Sequence, residues 1–509
     1  MTIDTLARTT SGPVHGLTEG DVRIWRGIPY AAPPTGALRW QPPAPPTPWT
    51  EVRETTRFGA RAPQHLVASL VPPGGAEPND QHTPFAEDCL YLNICAPAEP
   101  ARPVPVLVWF HGGGFVWGSG PHFIGDGRAL AREGVVVVTA NYRLGALGFL
   151  RLDHLLGDDY ADSGNCGLLD QVAALRWVHD NIAAFGGDPD NVTLAGVSAG
   201  GKSVANLMAT DAARGLFHRA IIHSGGDHVT TPADAAELTG LLLDRADLHE
   251  DRAEELLDLP QSRLLEAQNA LASGARATWV WRPVLDGRTL STTPIRALAT
   301  GAAAGIPVIA GITCNEAGSY TLSDPTAPDQ AFAVLESVFG ADAGRVWDHY
   351  AAVLPAADTA AIGCAILSDE RYGVPTRHLL DAQSRHAPVW RYRFDAPSPG
   401  APADKSGFHG ADIPFVWNVA MDTATDQQRH LSTEMRRRWV SFITTGTPDL
   451  EDLEPWARYL PATGRSTMLF DLASRVVPDP DADRHTAWTA QQWTPGTWWT
   501  LPAAALPAQ

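Results

Sequence analysis

The fold of this chain is indicated most strongly by the stretch Val192-Thr-Leu-Ala-Gly-Val-Ser-Ala-Gly-Gly201. Its first half is short and apolar, which predicts a buried strand. Its second half sets Ser198 in the pattern Gly-x-Ser-x-Gly, in which the serine occupies a sharp turn between a strand and a helix. The flanking positions are glycines because side chains there would collide with neighbouring backbone. We therefore expect a strand ending at Gly196 and a helix from Lys202 to about Thr210. Because the chain has 46 glycines, the pattern can also arise by chance. The neighbouring sequence must therefore show whether Ser198 lies in such a turn.

The context is an alternation of strands and helices. Continuously apolar, β-branched runs are typical of strands in a sheet that is covered on both faces. Two such runs lie at Val104–Phe110 and Val135–Ala140, and two later strand candidates lie at Ile306–Thr313 and Val389–Phe394. Between Leu168 and Phe185 the apolar residues have helical spacing, and Gly186-Gly-Asp-Pro189 ends that helix. The order strand, helix, strand predicts an α/β protein with a large, mostly parallel central sheet flanked by helices.

No linker separates independent units, so we expect residues 1–509 to form a single domain. Two segments, Pro232–Leu271 and Pro328–Arg377, are predicted to be largely helical insertions that form a cap or flanking layers. The proline-rich stretches Pro42–Pro48 and Val71–Pro84 are predicted to be surface loops.

The charge of the chain limits its partners. There are 38 basic and 57 acidic residues, a formal net charge of −19, and no concentration of Lys or Arg that would neutralise phosphates. We therefore expect no nucleic acid partner. The negative field favours neutral or cationic small molecules as substrates. The sequence does not distinguish a monomer from a homodimer.

The sequence predicts a cytoplasmic protein without a membrane partner. The first residues lack a basic start followed by an apolar run, and no apolar segment is long enough to span a bilayer. The five cysteines are an odd number without metal-ligand spacing, which favours reduced thiols in a reducing compartment.

A glycine run, His111-Gly-Gly-Gly-Phe115, directly follows the strand predicted to end at Phe110. Glycines there can turn bare N–H groups toward a developing oxyanion, together with the N–H of Ala199 after the serine. An isolated run of this kind is more often a flexible loop tip. Its position upstream of the serine turn favours an oxyanion site, and we expect His111 to shape the turn.

A serine nucleophile requires a base and an acid that orients the base, and with this turn the chain order is serine, acid, histidine. Glu316 follows the strand predicted to end at Thr313, and His409 lies between two glycines in a loop after Phe394. Asp286 and Asp412 are competing candidates for the acid. Glu316 is favoured because it alone lies just past a strand, between serine and histidine.

These residues belong to a longer series of ordered motifs. They include Arg26-Gly-Ile-Pro-Tyr-Ala31, Leu38-Arg-Trp40, Glu87-Asp-Cys-Leu-Tyr-Leu-Asn93, Asn141-Tyr-Arg-Leu-Gly-Ala-Leu-Gly-Phe149, Gly167-Leu-Leu-Asp-Gln171, Phe185-Gly-Gly-Asp-Pro189 and Gly446-Thr-Pro448. With them the chain resembles the type-B carboxylesterases, a family that includes bacterial para-nitrobenzyl esterases, animal carboxylesterases and cholinesterases. The likeness spans nearly the whole length.

The resemblance implies the α/β-hydrolase fold and a triad of Ser198, Glu316 and His409. It further implies Gly113, Gly114 and Ala199 as oxyanion-hole donors, with neither a metal nor an organic cofactor. The chain departs from the family pattern at two places. Val197 stands where the family usually has Glu, which removes a buried charge beside the serine. Cys89 has Ala62 at the position of its usual upstream partner, so Cys89 is expected to be free.

Four aromatic residues are candidates for the substrate pocket: Phe115, Trp117, Trp279 and Trp281. Three functions remain open. The first is hydrolysis of neutral, fairly apolar small carboxylic esters through an acyl-enzyme. The second is carbamate or amide hydrolysis, or acyl transfer, with the same triad. The third is a non-catalytic binding protein, against which the intact triad and glycine loop argue.

Overall fold

A computed structural model gives the structure of the chain. It describes residues 5–65, 83–100, 102–122, 124–272, 277–322, 324–400, 406–491 and 493.

The strands are β1 Leu6–Arg8, β2 Pro13–His15, β3 Leu17–Glu19, β4 Val22–Pro29, β5 Arg53–Glu54, β6 Tyr91–Pro97, β7 Val104–Phe110, β8 Val136–Ala140, β9 Gly187–Val197, β10 Arg219–His223, β11 Val308–Thr313, β12 Val389–Phe394, β13 Thr467–Phe470 and β14 Arg475–Val477.

The α-helices are α1 Arg128–Arg132, α2 Gly145–Phe149, α3 Asp153–Leu156, α4 Cys166–Asn181, α5 Ala199–Ala209, α6 Pro232–Arg245, α7 Gln261–Leu271, α8 Ala277–Val280, α9 Pro294–Ala299, α10 Ala331–Phe339, α11 Ala343–Val353, α12 Thr359–Ser368, α13 Val374–Gln383, α14 Ile413–Trp417, α15 Asp426–Thr445 and α16 Ala482–His485.

The described strands form one large sheet and one small one. The large sheet has eleven strands in the order β14-β13-β12-β11-β10-β9-β7-β8-β6-β4-β3, and β1, β2 and β5 form the small sheet. From β13 to β8 neighbouring strands are parallel, whereas the pairs at both edges are antiparallel. The carboxyl ends of parallel strands meet at one edge of a sheet, which is where such folds build their sites.

Apolar side chains alternate along these strands between two cores, one on each face of the sheet. On one face Leu168, Leu175 and other residues of α4, together with α5 and α13, pack on the strands. On the other face α1, α14 and α15 cover the sheet, with Trp439 and Phe442 among the buried residues. The predicted large sheet with helices on both faces is confirmed.

Most predicted elements match the structure closely. The strands Val104–Phe110 and Val389–Phe394 have their predicted bounds, and the helix predicted from Leu168 is α4 followed by a 3₁₀ turn, Ile182–Phe185. The stretch Pro42–Pro48 has no regular structure, as predicted. The second proline-rich stretch, Val71–Pro84, lies almost entirely outside the described residues.

Two boundaries near the serine differ from the prediction. Strand β9 begins at Gly187 instead of Val192, because Gly187 pairs with Val104 and the intervening polar residues are accommodated by a register shift. Helix α5 begins at Ala199 instead of Lys202, because the Lys202 N–H already donates to the Ser198 carbonyl oxygen at 2.8 Å. The helix thus starts directly at the nucleophile candidate.

The two predicted helical segments contain α6 and α7, and α10 to α13, respectively. The second set has a small apolar core of its own, which includes Leu335, Tyr350 and Leu367. Between α12 and α13 the chain forms one π-helical turn, Asp369–Gly373. Such turns often occur at functional sites, and this one brings Arg371 and Tyr372 to the serine. Within the described residues, no helix is long and apolar enough to cross a membrane.

Candidate active site

Ser198 lies at the sharp turn between β9 and α5. Its backbone has φ +57° and ψ −119°, a strained conformation for a residue with a side chain, and its N–H donates to the His223 carbonyl oxygen at 2.9 Å. The two flanking glycines are required by space. A Cβ on Gly196 would lie 2.5 Å from the carbonyl carbon of Gly200, and one on Gly200 would lie 1.9 Å from the Phe110 oxygen.

The glycine loop after β7 faces the serine. Gly113 and Gly114 have φ of +111° and +60°, so both occupy the left-handed region that favours glycine. His111 lies beneath the loop, where its ring Nδ1 contacts the Gly112 carbonyl oxygen at 2.8 Å and its ring stacks on Tyr142. Burial lowers the pKa of His111 to about 4. A neutral His111 therefore shapes the loop, as the sequence led us to expect.

Glu316 and His409 meet at the same edge of the sheet. The Nδ1–H of His409 donates to Oε2 of Glu316 at 2.5 Å. The other carboxylate oxygen, Oε1, accepts hydrogen bonds from the Ser224 hydroxyl at 2.6 Å and from the Thr313 N–H at 2.8 Å. The Glu316 carboxylate is fully buried. Three donors therefore fix its position, and the carboxylate in turn fixes the imidazole.

Backbone contacts hold the loops of Glu316 and His409 against each other. Asn315 and Phe408 form an isolated parallel bridge, and the Asn315 N–H donates to the Gly407 carbonyl oxygen at 2.9 Å. The Cys314 N–H donates to the Phe394 carbonyl oxygen at 3.0 Å, at the end of β12. The pairing of β11 with β12 thus continues into both loops, and this continuation brings an acid and a histidine far apart in sequence into contact.

The two competing acids have other partners. Asp286 accepts the N–H groups of Arg288, Thr289 and Leu290, which makes it a turn-forming residue. Asp412 is buried and binds a different histidine, His223, at 2.7 Å.

Ser198 opens into a cleft that is partly open to solvent. We call it the serine cleft; its described lining residues are Gly112, Gly113, Gly114, Trp117, Val197, Ser198, Thr278, Ser319, Tyr320, Leu322, Arg371, Tyr372, Phe408, His409, Gly410, Ile413 and Pro414. Serine, histidine and the glycine loop therefore share one cavity. None of these lining residues is Asp or Glu.

Tyr372 is a lining residue that the sequence did not indicate, and it packs on His409 in the serine cleft. Its ring lies 4.7 Å from that of His409, its hydroxyl is 2.7 Å from the Tyr320 hydroxyl, and its side chain lines the same cavity as Ser198. The Nε2 atom of His409 is buried and has no hydrogen-bond partner among the described residues. Ser198, Tyr372 and His409 thus line one cavity, in which Nε2 of His409 can accept a proton.

Of the four predicted pocket aromatics, the structure places Trp117 in the wall of the serine cleft. Phe115 is turned away by its positive φ of +64° and packs against Phe149 and His228. Trp279 lies beneath the guanidinium of Arg371, and Trp281 belongs to the main core. The described lining residues do not include Phe115, Trp279 or Trp281. The expectation was wrong for these three because large aromatic side chains fill a core as readily as they line a pocket.

The chain matches known proteins over most of its length. The family model described as "Carboxylesterase family" matches residues 4–343 and 356–487. The chain belongs to the carboxylesterase family. Members of this family hydrolyse carboxylic esters, and the chain is therefore a serine ester hydrolase.

Individual relatives agree with this membership. The chain is 38% identical to a para-nitrobenzyl esterase of Bacillus subtilis over 493 residues, which are 94% of this chain and 97% of the relative. It is 33% identical to a phenmedipham hydrolase of Pseudarthrobacter oxydans, over 89% of this chain and 92% of that protein. Among solved structures, a carboxylesterase of Geobacillus stearothermophilus superposes with a TM-score of 0.85 at 37% identity, covering 95% of this chain and 100% of the other. The fold is the α/β-hydrolase fold.

This carboxylesterase has the two departures noted in its sequence. Val197 is buried at the wall of the serine cleft, so no carboxylate follows Gly196 there. Cys89 is buried, and none of the five cysteines forms a disulfide. Burial raises the pKa of the Cys89 thiol far above its usual range, which keeps it protonated and unreactive.

Proposed function

We propose that Ser198, His409 and Glu316 form the catalytic triad of this carboxylesterase, with the N–H groups of Gly113, Gly114 and Ala199 as its oxyanion hole. The observation that carries the proposal is the hydrogen bond between His409 and the buried carboxylate of Glu316, with His409 in the same cleft as the strained Ser198. A serine, a histidine and an acid in this relation constitute an activated nucleophile.

In the proposed reaction the Ser198 oxygen attacks the ester carbonyl carbon while His409 Nε2 takes the serine proton. The carbonyl oxygen becomes an oxyanion that the three N–H groups bind, and the Ala199 N–H belongs to the first turn of α5, where it is not used within the helix. His409 then protonates the leaving alcohol. A water molecule repeats the sequence on the acyl-enzyme, and Glu316 stabilises the imidazolium in both halves.

The proposed substrates are neutral, fairly apolar small esters. Trp117, Val197, Leu322, Phe408 and Ile413 give the serine cleft a mostly apolar wall. Such a wall binds alkyl and aryl groups by removing their apolar surface from water. The proposed steps use protein groups and water only. The five unpaired thiols support a cytoplasmic location, which we propose on that ground.

Stopped-flow hydrolysis of 4-nitrophenyl acetate tests the triad. We expect a burst of 4-nitrophenol close to one equivalent per chain, followed by slower turnover. The Ser198→Ala variant should lose the burst and the turnover, whereas Ser337→Ala, at an exposed serine of α10, should keep both. A Ser198→Ala variant with normal turnover would refute the proposal.

The relative named phenmedipham hydrolase keeps a second candidate function open, hydrolysis of carbamates or amides with the same triad. Comparison of kcat/KM for 4-nitrophenyl acetate, 4-nitrophenyl N-methylcarbamate and 4-nitroacetanilide separates the possibilities. We expect the ester to have the highest value. A higher value for the carbamate or the anilide would reassign the substrate class while leaving the triad intact.

A further inference from the structure

A buried arginine forms part of the serine cleft. Arg371 is 1% exposed, yet it lines the same cavity as Ser198 and His409. It comes from the π-helical turn Asp369–Gly373, which inserts it directly before Tyr372. An arginine with so little exposure is rare unless it is paired with a carboxylate.

Within the described part of the chain, Arg371 forms no ion pair. Its guanidinium lies 3.6 Å from the centre of the Trp279 ring, and one terminal nitrogen donates to the Thr278 carbonyl oxygen at 2.6 Å. The other terminal nitrogen is 3.5 Å from the Thr278 hydroxyl, and the Nε–H of Arg371 has no hydrogen-bond partner among the residues that the structure describes. The guanidinium is therefore held in place by stacking and one strong hydrogen bond, while donor capacity remains unused.

Two other buried basic side chains, Lys202 and Arg282, lie near enough to Arg371 to feel its charge. Burial and then the charge of Arg371 lower the pKa values of Lys202 and Arg282, that of Arg282 to about 10. Glu370 partly compensates these charges, and Glu316 is engaged with His409. Val197 and the other lining residues contribute no carboxylate to the wall. Among the described lining residues of the serine cleft, Arg371 is therefore the one with a permanent charge, and that charge is positive, whereas the whole chain has a net charge of −19.

We propose that Arg371 is an anion subsite, so that the substrates include esters that carry one carboxylate a few bonds from the scissile carbonyl, such as half-esters of dicarboxylic acids. The inference rests on the proposed ester hydrolysis at Ser198 and adds a substrate class to the neutral esters. A substrate carboxylate would accept the unused donors of Arg371 in a charge-assisted hydrogen bond and compensate its buried charge.

Without such a subsite an anionic ester would be a poor substrate. Transfer of a carboxylate from water into an apolar cavity costs several kcal/mol when no partner is present. The net charge of the chain would also repel the anion as it approaches. The ratio of kcat/KM for an anionic ester to that for its neutral counterpart therefore measures the subsite directly.

Two pairs of esters place the carboxylate on either side of the ester bond. Monoethyl adipate and ethyl hexanoate, followed by pH-stat titration, differ on the acyl side. 4-Acetoxybenzoate and phenyl acetate, followed by ultraviolet absorbance, differ on the alcohol side. We expect the wild-type ratio to be near or above one in at least one pair. A ratio below about 0.01 in both pairs would overturn the proposal, since this is the penalty of roughly 3 kcal/mol or more for an unpaired anion.

The variant Arg371→Met tests the residue itself and keeps the length of the side chain. In the pair that the wild type accepts, we expect the ratio to fall at least tenfold, and Arg371→Lys, which keeps the charge, should retain more of it. Arg345→Met, at an exposed arginine of α11, is the matched control and should leave the ratio within twofold. A ratio within twofold of wild type in a folded Arg371→Met variant would overturn the assignment.

The wild-type ratio decides the question even when Arg371→Met does not fold. Failure of the proposed ester hydrolysis is distinguishable from failure of the subsite. A folded protein that hydrolyses none of the four esters refutes the catalytic proposal, whereas one that hydrolyses only the neutral members refutes the anion subsite alone.

Discussion

The substitution Glu316→Gln should inactivate the enzyme through the tautomer of His409. In the structure, Oε1 of Glu316 accepts two hydrogen bonds, from Ser224 and Thr313, while Oε2 accepts one from His409. The single oxygen of a glutamine amide must take the place of Oε1, because the Thr313 N–H can only donate. The amide NH₂ then points at Nδ1 of His409.

An NH₂ group in that position forces Nδ1 to accept a hydrogen bond, so the ring proton moves to Nε2. The nitrogen that should take the serine proton is then already protonated. Loss of the correct tautomer in such a triad lowers kcat about 10⁴-fold, equivalent to about 5 kcal/mol in the activation barrier. The shape and the buried hydrogen bonds are retained, so the melting temperature should change little.

The assay is steady-state hydrolysis of 4-nitrophenyl butyrate by the wild type, Glu316→Gln and the control Glu336→Gln, which alters an exposed glutamate of α10. Circular dichroism establishes that each variant is folded. We expect Glu336→Gln to behave as wild type. A folded Glu316→Gln variant with kcat within tenfold of wild type would refute the tautomer argument and assign the acid elsewhere.

Four further changes test other parts of the structure. A Cβ on Gly114 would lie 2.2 Å from Thr278 Cβ. Gly114→Ala should therefore displace a proposed oxyanion donor and lower kcat for 4-nitrophenyl butyrate about 10²- to 10³-fold. An unchanged kcat would contradict the proposed role of the Gly114 N–H. Tyr372→Phe removes a cleft hydroxyl that bonds to Tyr320 on a ring packed against His409 and should lower kcat about 3- to 10-fold, whereas an unchanged or higher kcat would count against a role for this hydroxyl. Buried Lys202 has a pKa held well below its usual range by desolvation, so urea denaturation should find Lys202→Met more stable by about 1–3 kcal/mol, not less. Burial raises the pKa of Asp227 from 3.8 to about 7, so the folded state keeps this proton to higher pH than the unfolded state does. The free energy of unfolding therefore falls as the pH rises from about 4 to 7. The melting temperature of Asp227→Asn should exceed that of wild type most above pH 7, and a difference that does not change with pH would contradict this.

The sequence predicted the parts of the fold that local patterns determine. Strand β7 has its predicted bounds because its residues are almost all apolar, as both faces of the sheet require. Strand β12 also has its predicted bounds, although Arg391 and Arg393 alternate with its apolar residues. The turn at Ser198 was predictable because glycine is the only residue that fits so close to Phe110. The start of α5 was less accurate, since glycines at 200 and 201 do not indicate a helix.

The sequence did not predict the walls of the serine cleft. Arg371 and Tyr372 reach the site through a π-helical turn, and no residue pattern distinguishes that turn from an ordinary helix. The expectation for Trp279 was reasonable, but the ring lies behind Arg371 instead of in the wall. Aromatic residues of the core and of a pocket have the same composition, so only the packing separates them.

Covalent labelling can identify the nucleophile of this enzyme, which we propose to be Ser198. The wild-type protein is treated with a fluorophosphonate, and its peptides are sequenced by mass spectrometry while the loss of esterase activity is followed. If Ser198 is the nucleophile, we expect a single adduct on Ser198, with one equivalent per chain at complete inactivation. Complete inactivation with the adduct on another residue, or full ester turnover by protein labelled at Ser198, would contradict it.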